Sequence, residues 1–432
     1  MSSPYKTVAF QTLGCKLNFA ETSTLARQFI SRGYAQVDNN TPADLYVINT
    51  CSVTDNANKK ARKAVRRALR KSPHAQVAVI GCYAQLNPDQ IADIPGVIIV
   101  AGAEEKFNLA DQIETNTNND NSVILHSKIE TVKHFIPSYS IGKRTRSFLK
   151  IQDGCDYACS YCTIPLARGL SRSASISDTI IQANKIAQTN IREIVLTGVN
   201  VGDFGVNQNE SLFDLIQKLD KVDGIDRYRI SSIEPNLLTD EIINFTASSK
   251  KFLPHFHIPL QSGSDKILKD MQRRYKTELY SDRLHKIKSI LPDACIGVDV
   301  IVGFPGESDD NFQETFDFLS NLDISYLHVF SYSERDNTNA IKIDPKVPQN
   351  MISDRSKILH HLSNVKKRHF YKKNIGSVKQ VLFEYFEESF LYGHTENYIP
   401  VRILGRSDYV NEILPIKLIQ IKDDEVIGEG KA

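Results

Sequence analysis

Residues 154–162 read Gly-Cys-Asp-Tyr-Ala-Cys-Ser-Tyr-Cys, which places Cys155, Cys159 and Cys162 in a C-x3-C-x2-C spacing. Three thiolates can each ligate one iron of a four-iron cluster and leave the fourth iron open to a small molecule. A structural zinc site normally takes a fourth Cys or His nearby, and none follows within the next 90 residues. A disulfide does not suit an odd number of thiols in a chain that reads as intracellular. Zinc and incidental buried thiols stay as the plainer alternatives.

Four further cysteines, Cys15, Cys51, Cys82 and Cys295, bring the total to seven. The placement of the first three is informative. Apolar runs at Lys6–Leu13, Asp44–Thr50 and Gln76–Ile80 read as buried strands. Helical patterns follow at Ala20–Ser31, Asn56–Lys71 and near Pro88–Asp93, and 97–100 and 122–125 add strand candidates. This alternation predicts a parallel sheet with helices on both faces. Cys15, Cys51 and Cys82 each fall just past a strand's carboxyl end, the edge where such sheets bind ligands. They are expected to converge as a second three-thiol set, against the alternative of three unrelated buried thiols.

The helix after Cys51 carries eight Lys or Arg among residues 57–71 and no acid. Ala61, Val65, Ala68 and Leu69 form its inward face, so Lys59, Lys63, Arg66, Arg67 and Arg70 project as a positive ridge. Such a ridge suits a phosphate backbone; the alternative is an ordinary solvated face. Overall net charge is only +2, so it is the distribution that points to nucleic acid. Residues 114–121 read as a surface loop, and 126–145, with Lys143 and Arg144, as a linker. No run of 18 apolar residues exists, which predicts no membrane helix. The start lacks a secretory pattern, and a cytoplasmic protein is expected.

From residue 146 six strand candidates (148–152, 193–197, 227–232, 256–260, 297–302 and 326–331) alternate with helical patterns. They predict a partial (β/α)6 barrel with its chemistry at the strands' carboxyl ends. Those ends carry the three-cysteine loop, Gly198, Ser231, Glu234, Gln261 and Val302, a polar rim. His255 and His257 are read as structural, and Cys295 as a buried thiol. Arg168 and Arg172 either hold the cysteine loop through carbonyls or meet phosphate. A long helix at 351–374 and five short strands between 378 and 429 predict a small antiparallel β-barrel. Small barrels of that kind bind RNA or act as structural caps. The expected division is therefore 1–125, linker 126–145, 146–373 and 374–432.

The chain resembles the radical S-adenosylmethionine (SAM) tRNA methylthiotransferases. The resemblance rests on Gln11-Thr-Leu-Gly-Cys-Lys-Leu-Asn18, Asn49-Thr-Cys-Ser-Val-Thr54, Gly81-Cys-Tyr-Ala-Gln85 and residues 152–162. Residues 14–18, 164–169 and 393–401 look most like the branch acting on N6-threonylcarbamoyladenosine. The resemblance implies two [4Fe-4S] clusters, one on Cys155, Cys159 and Cys162 that binds SAM, and an auxiliary one on Cys15, Cys51 and Cys82. It implies a 5′-deoxyadenosyl radical and transfer of a methylthio group to carbon 2 of the adenine at tRNA position 37. SAM would meet Tyr161 and the rim residues. Implied partners are tRNA, an electron donor such as flavodoxin or ferredoxin, and a sulfur donor; the terminal barrel would be of the RNA-binding TRAM type. In place of the acidic Gly-Gly-Glu of many radical-SAM enzymes stands Thr197-Gly-Val-Asn200. Isopentenyladenosine in tRNA, a ribosomal protein side chain, and a non-enzymatic RNA-binding iron–sulfur sensor are the competing readings.

Overall fold

The computed structural model describes residues 6–115, 122–142 and 144–430. The loop expected at 114–121 and the basic residue Lys143 fall largely outside them. The chain divides into two compact units: residues 1–142, 148–174 and 333–338, and residues 143–147, 175–332 and 339–432.

The first unit opens with β1 (Thr7–Thr12), α1 (Lys16–Ser31), β2 (Ala35–Val37), β3 (Leu45–Thr50) and α2 (Asp55–Lys71). It continues with β4 (Gln76–Gly81), α3 (Cys82–Leu86), α4 (Pro88–Ala92), β5 (Val97–Ala101), α5 (Leu109–Thr115) and β6 (Val123–Leu125). The strands form one sheet in the order β2-β1-β3-β4-β5-β6, and every pairing is parallel. All six residues of β3 are buried because helices cover both faces. Tyr46, Ile48, Ala61 and Val65 pack in one core, and Leu25, Phe29, Val47 and Ile113 in the other. The expected strands and helices appear with ends shifted by a few residues; β2, α3 and α5 are additions. Two-residue β7 (Ser138–Tyr139) pairs antiparallel with β8 (Arg146–Lys150). Then come β9 (Gln152–Asp153), the cysteine loop, α6 (Ile164–Arg168) and β10 (Arg172–Ser173), which pairs back antiparallel to β9.

The second unit runs α7 (Ile176–Ala187), β11 (Glu193–Thr197), α8 (Leu212–Leu219), β12 (Arg227–Ile230), α9 (Asp240–Ser248) and β13 (His255–His257). Next are α10 (Asp265–Asp270), α11 (Thr277–Ile290), β14 (Cys295–Val302), α12 (Asp309–Asn321), β15 (Tyr326–Ser331) and α13 (Gln349–Asn374). Strands β11 and β12 pair in parallel. A parallel bridge from Ser232 to His257 leads on to β13, and β13, β14 and β15 are parallel in turn. These are the strand–helix repeats expected from the sequence. Side-chain caps at Ser175, Ser211, Thr239 and Ser308 start α7, α8, α9 and α12. Cys295 is the first residue of β14 and, at 1% exposed, the buried thiol expected.

Five strands end the unit: β16 (Val378–Glu387), β17 (Phe390–Thr395), β18 (Pro400–Leu404), β19 (Ile413–Lys422) and β20 (Glu425–Glu429). They close a barrel in the order β16-β17-β18-β20-β19. Four junctions are antiparallel. The β18–β20 junction is parallel, because strand direction cannot alternate all the way round an odd number of strands. Arg229 anchors the barrel to β12. It is 2% exposed, bonds Glu193 at 2.8 Å and donates to the Glu396 and Thr395 carbonyls.

Candidate metal centres

The order of the first sheet puts its switch point between β1 and β3. Consecutive connections leave toward opposite faces there, and a crevice opens at the carboxyl ends. Cys15 lies three residues past β1, Cys51 directly follows β3, and Cys82 begins α3 directly after β4. Local chemistry sets this edge. Gly14 has φ +100, and a Cβ there would lie 2.7 Å from the Cys51 Cβ. Asn18, fully buried, donates to the Leu13 and Thr50 carbonyls, and its Oδ1 lies 3.8 Å from the Cys15 Sγ. Arg335, in the short segment 333–338 that belongs to this unit, holds the Ser52 carbonyl and hydroxyl at 2.9 and 2.8 Å.

Burial pushes the Cys51 thiol up to about 11, with Cys82 and Cys15 adding repulsion. Burial also raises Cys82, against the pull of Arg168 and Lys106. Three thiols that perturb one another at one sheet edge fit the donor set of an iron–sulfur cluster. Ionised, they place anionic charge in a half-buried site that needs a cation beside it.

The second set sits on the loop between β9 and α6. Gly154 has φ +72, and a Cβ there would fall 2.0 Å from the Leu170 carbonyl oxygen, so only glycine lets the loop close. The Cys155 amide bonds the Gly169 carbonyl at 3.0 Å, and the Cys162 amide the Cys159 carbonyl at 3.0 Å. Amides of Tyr157 and Ile164 point at the sulfurs of Cys155 and Cys162, each 3.4 Å away. Such donors stabilise thiolate over thiol. All three cysteines are partly accessible. Tyr161 is half-buried within the loop, and Tyr157 is buried.

Both loops rest on a buried ionic network. Glu21 of α1 meets Lys106 at 2.7 Å, Lys150 at 3.0 Å and Arg168 at 3.1 Å. Asp153, next to Gly154, meets Lys150 and Arg168 at 2.8 Å each and Arg172 at 3.2 Å. Burial alone would raise the Glu21 carboxyl, but its three cations outweigh it and hold it far below the ordinary range. Asp153 is depressed for the same reason. Burial works against the Arg168 charge too, yet Glu21, Cys82 and Asp153 hold the guanidinium well above its ordinary range. Of the two sequence alternatives for the arginines, Arg172 takes the carbonyls, those of Arg168 and Leu170 at 2.6 and 3.1 Å. Arg168 takes neither and pairs carboxylates.

In the second unit the carboxyl ends of β11 to β14 carry the expected rim. Gly198 follows β11. Ser231 is buried after β12, with no partner for its hydroxyl among the described residues. The Glu234 carboxylate pairs with Arg273; burial raises it against that pull, with Asp203 and Asp299 adding repulsion. Gln261 has φ +70 and bridges to Val300. Val302 is fully buried, and its carbonyl accepts from the Tyr332 amide at 2.9 Å. Sequence reasoning read His257 as structural and passed over Asp299 and His328; the ligand atoms of the three gather within 4.8 Å on three neighbouring strands. It also passed over Glu21. The available signal was an acid at i+4 from Leu17 and i−4 from Leu25, both inward-facing.

The basic helix α2 begins one residue before the expected Asn56 and so includes one acid, Asp55, paired with Lys59 at 2.7 Å. Ala61, Ala64, Val65 and Ala68 face inward; Lys59, Lys63, Arg66, Arg67 and Arg70 are all exposed. Arg62, Lys63, Arg66, Arg67 and Arg70 line a cavity of about 910 Å³ with Gln90 and Asp93. Among the described residues no helix is long and apolar enough to cross a membrane.

The fold and the three-cysteine loop define a radical-SAM protein. Residues 149–319 match the radical SAM superfamily, and residues 7–102 match uncharacterized protein family UPF0004. A solved radical S-adenosylmethionine methyltransferase, TsrM of Kitasatospora setae, shares this fold at TM-score 0.55 and 13% identity, over 76% of this chain and 75% of that one. The chain is 39% identical to the threonylcarbamoyladenosine tRNA methylthiotransferase MtaB of Bacillus subtilis, over 96% of this chain and 94% of that protein. With the protein of that name from Thermotoga maritima it shares 34%, over 98% and 96%. A tRNA-2-methylthio-N(6)-dimethylallyladenosine synthase of Endomicrobium trichonymphae is 30% identical over 97% and 98%. The chain therefore belongs to the radical-SAM tRNA methylthiotransferase family.

Proposed function

We infer that this protein transfers a methylthio group to carbon 2 of N6-threonylcarbamoyladenosine at tRNA position 37. The observation that carries this is the pair of three-cysteine sets braced by one ionic network within one unit, in a chain matched nearly end to end by relatives of that name. Cys155, Cys159 and Cys162 would hold the SAM-binding [4Fe-4S] cluster, and Cys15, Cys51 and Cys82 a second one. When bound, these groups and SAM supply the radical and the sulfur-transfer chemistry. The chain's own part is to hold and orient. Amides of Tyr157 and Ile164 stabilise the loop thiolates, and Tyr161 would pack on the adenine of SAM.

For SAM we assign Gly198, Ser231, Glu234, Gln261 and Val302, the last through its position beside the others. The acid missing from residues 198–200 has a substitute in Asp203, which Asn200 holds at 3.0 Å. Exposed Lys59, Lys63, Arg66, Arg67 and Arg70 would track the tRNA backbone. The terminal barrel is read as a TRAM-type RNA-binding domain, with Tyr385 and Tyr392 stacked 4.7 Å apart as its aromatic platform. The functional division is 1–125, a linker at 126–145, 146–373 and 374–432. A cytoplasmic electron donor such as flavodoxin or ferredoxin, and a sulfur donor, complete the scheme.

Mass spectrometry of tRNA nucleosides from cells with and without the gene tests the reading. Loss of 2-methylthio-N6-threonylcarbamoyladenosine alone is expected. Loss of the methylthio-isopentenyl nucleoside instead would overturn the substrate. Anaerobic reconstitution should give about eight iron per chain for two four-iron clusters; about four would overturn the second cluster.

A further inference from the structure

The ionic network beneath the cysteines is unbalanced. Lys106, Lys150, Arg168 and Arg172 bring four positive charges, and Glu21 and Asp153 bring two negative ones. Glu21, Asp153, Lys106, Lys150 and Arg168 are at most 3% exposed, three cations against two anions at depth, while the Arg172 side chain is 11% exposed and reaches water. Uncompensated charge at such depth is costly, so the surplus calls for an anion close by. The lysines are partly accommodated by aromatic faces. Lys106 lies 5.0 Å from the Phe107 ring, and Lys150 lies 5.3 Å from Phe107 and 5.1 Å from Phe135. No such ring faces Arg168 among the described contacts.

Arg168 is near enough to Cys15, Cys51 and Cys82 to interact electrostatically with each thiol. Its Nη1 binds Glu21 and Asp153 at 3.1 and 2.8 Å. Its Nη2 binds Asn18 Oδ1 at 2.6 Å, and that same oxygen lies 3.8 Å from the Cys15 sulfur. Arg168 is also the last residue of α6, the helix that starts two residues after Cys162. One guanidinium is thus built into the backbone that follows one cysteine set and is hydrogen-bonded to the side chains that shape the other.

We propose that Arg168 is a positioning residue whose charge, held in place by Glu21 and Asp153, balances the anionic cluster on Cys15, Cys51 and Cys82 and raises its reduction potential. This rests on the reading of those cysteines as cluster ligands. A fixed positive charge beside a cluster favours the reduced, more negative state; a fixed negative charge disfavours it.

The test uses the full-length chain with Cys155, Cys159 and Cys162 replaced by Ala, so that only the cluster in question is present. After anaerobic reconstitution, its midpoint potential is read by electron paramagnetic resonance during a redox titration. Arg168→Met should move the potential to more negative values, Arg168→Lys should recover part of the parent value, and Glu21→Gln should move it to more positive values. An unchanged potential in Arg168→Met overturns the proposal. So does a shift of the same sign in Arg168→Met and Glu21→Gln, which would mark a packing effect in place of a charge effect. Should Arg168→Met take up no cluster, the Lys and Gln variants decide by their signs. A parent chain that binds no four-iron cluster refutes the ligand assignment itself, and the proposal with it.

Discussion

Replacing Glu21 by Gln keeps its shape and removes its charge. Three cations then lose their shared anion at once: Lys106 at 2.7 Å, Lys150 at 3.0 Å and Arg168 at 3.1 Å, with Glu21 fully buried. Charge-assisted bonds contribute roughly 1.5–3 kcal/mol each, but they share one carboxylate and do not add. Breaking a buried ionic cluster by removing one partner costs about 3–5 kcal/mol. At roughly 2–4 °C per kcal/mol for a unit of this size, the melting transition of the first unit should fall by about 6–20 °C. Differential scanning calorimetry of the cluster-free protein measures this; tyrosine circular dichroism is the optical check, since the chain has no Trp. The pH dependence gives a second reading. The Glu21 carboxyl is depressed from its ordinary 4.5, so its contribution is fully present above that value and fades as pH falls below it. In Glu21→Gln that part of the acid limb should be missing. Adding Lys106→Met should recover part of the loss, because it removes one orphaned cation. A loss below about 1 kcal/mol, with an unaltered acid limb, would refute the view that this network braces the unit.

Reversing Lys63, Arg66 and Arg67 to Glu should weaken tRNA binding and flatten its salt dependence, by about one unit of log–log slope per lost phosphate contact; titrations at several KCl concentrations measure it. Gly154→Ala should cost the loop its closure, since the new Cβ would meet the Leu170 oxygen at 2.0 Å. Iron uptake should drop by about four per chain, with no 5′-deoxyadenosine formed from SAM. Arg229→Met removes the 2.8 Å pair with Glu193 and both carbonyl bonds to residues 395 and 396. A cost of about 3–5 kcal/mol should appear as faster amide exchange in β16 to β20.

How much was legible in advance differs by element. Strands such as Glu193–Thr197 and Tyr326–Ser331 could be read to the residue. Glu193–Thr197 is buried along its whole length, so its centre must be apolar and polar residues mark its ends. Tyr326–Ser331, largely half-buried or exposed, is marked instead by its aromatic and β-branched residues. The start of α2 was misplaced because the Thr54 cap, not the basic run, sets it. The parallel β18–β20 junction escaped because strand patterns encode alternation and not neighbours. The His257–Asp299–His328 group escaped because its members come from three strands far apart in sequence.

By itself the sequence determined the strand–helix alternation, the cysteine spacing 155–162 and the positive face of α2. These are short-range properties, and hydrophobic period and ligand spacing carry them. Only the tertiary structure decided that Cys15, Cys51 and Cys82 share one sheet edge, since that depends on the strand order β1-β3-β4. It also decided that Arg168, five residues beyond one cysteine loop but carrying no local mark of its role, turns to Glu21 and Asn18. A buried charge must find its partners wherever the fold brings them, and chain separations of 147 and 150 residues lie beyond any local pattern.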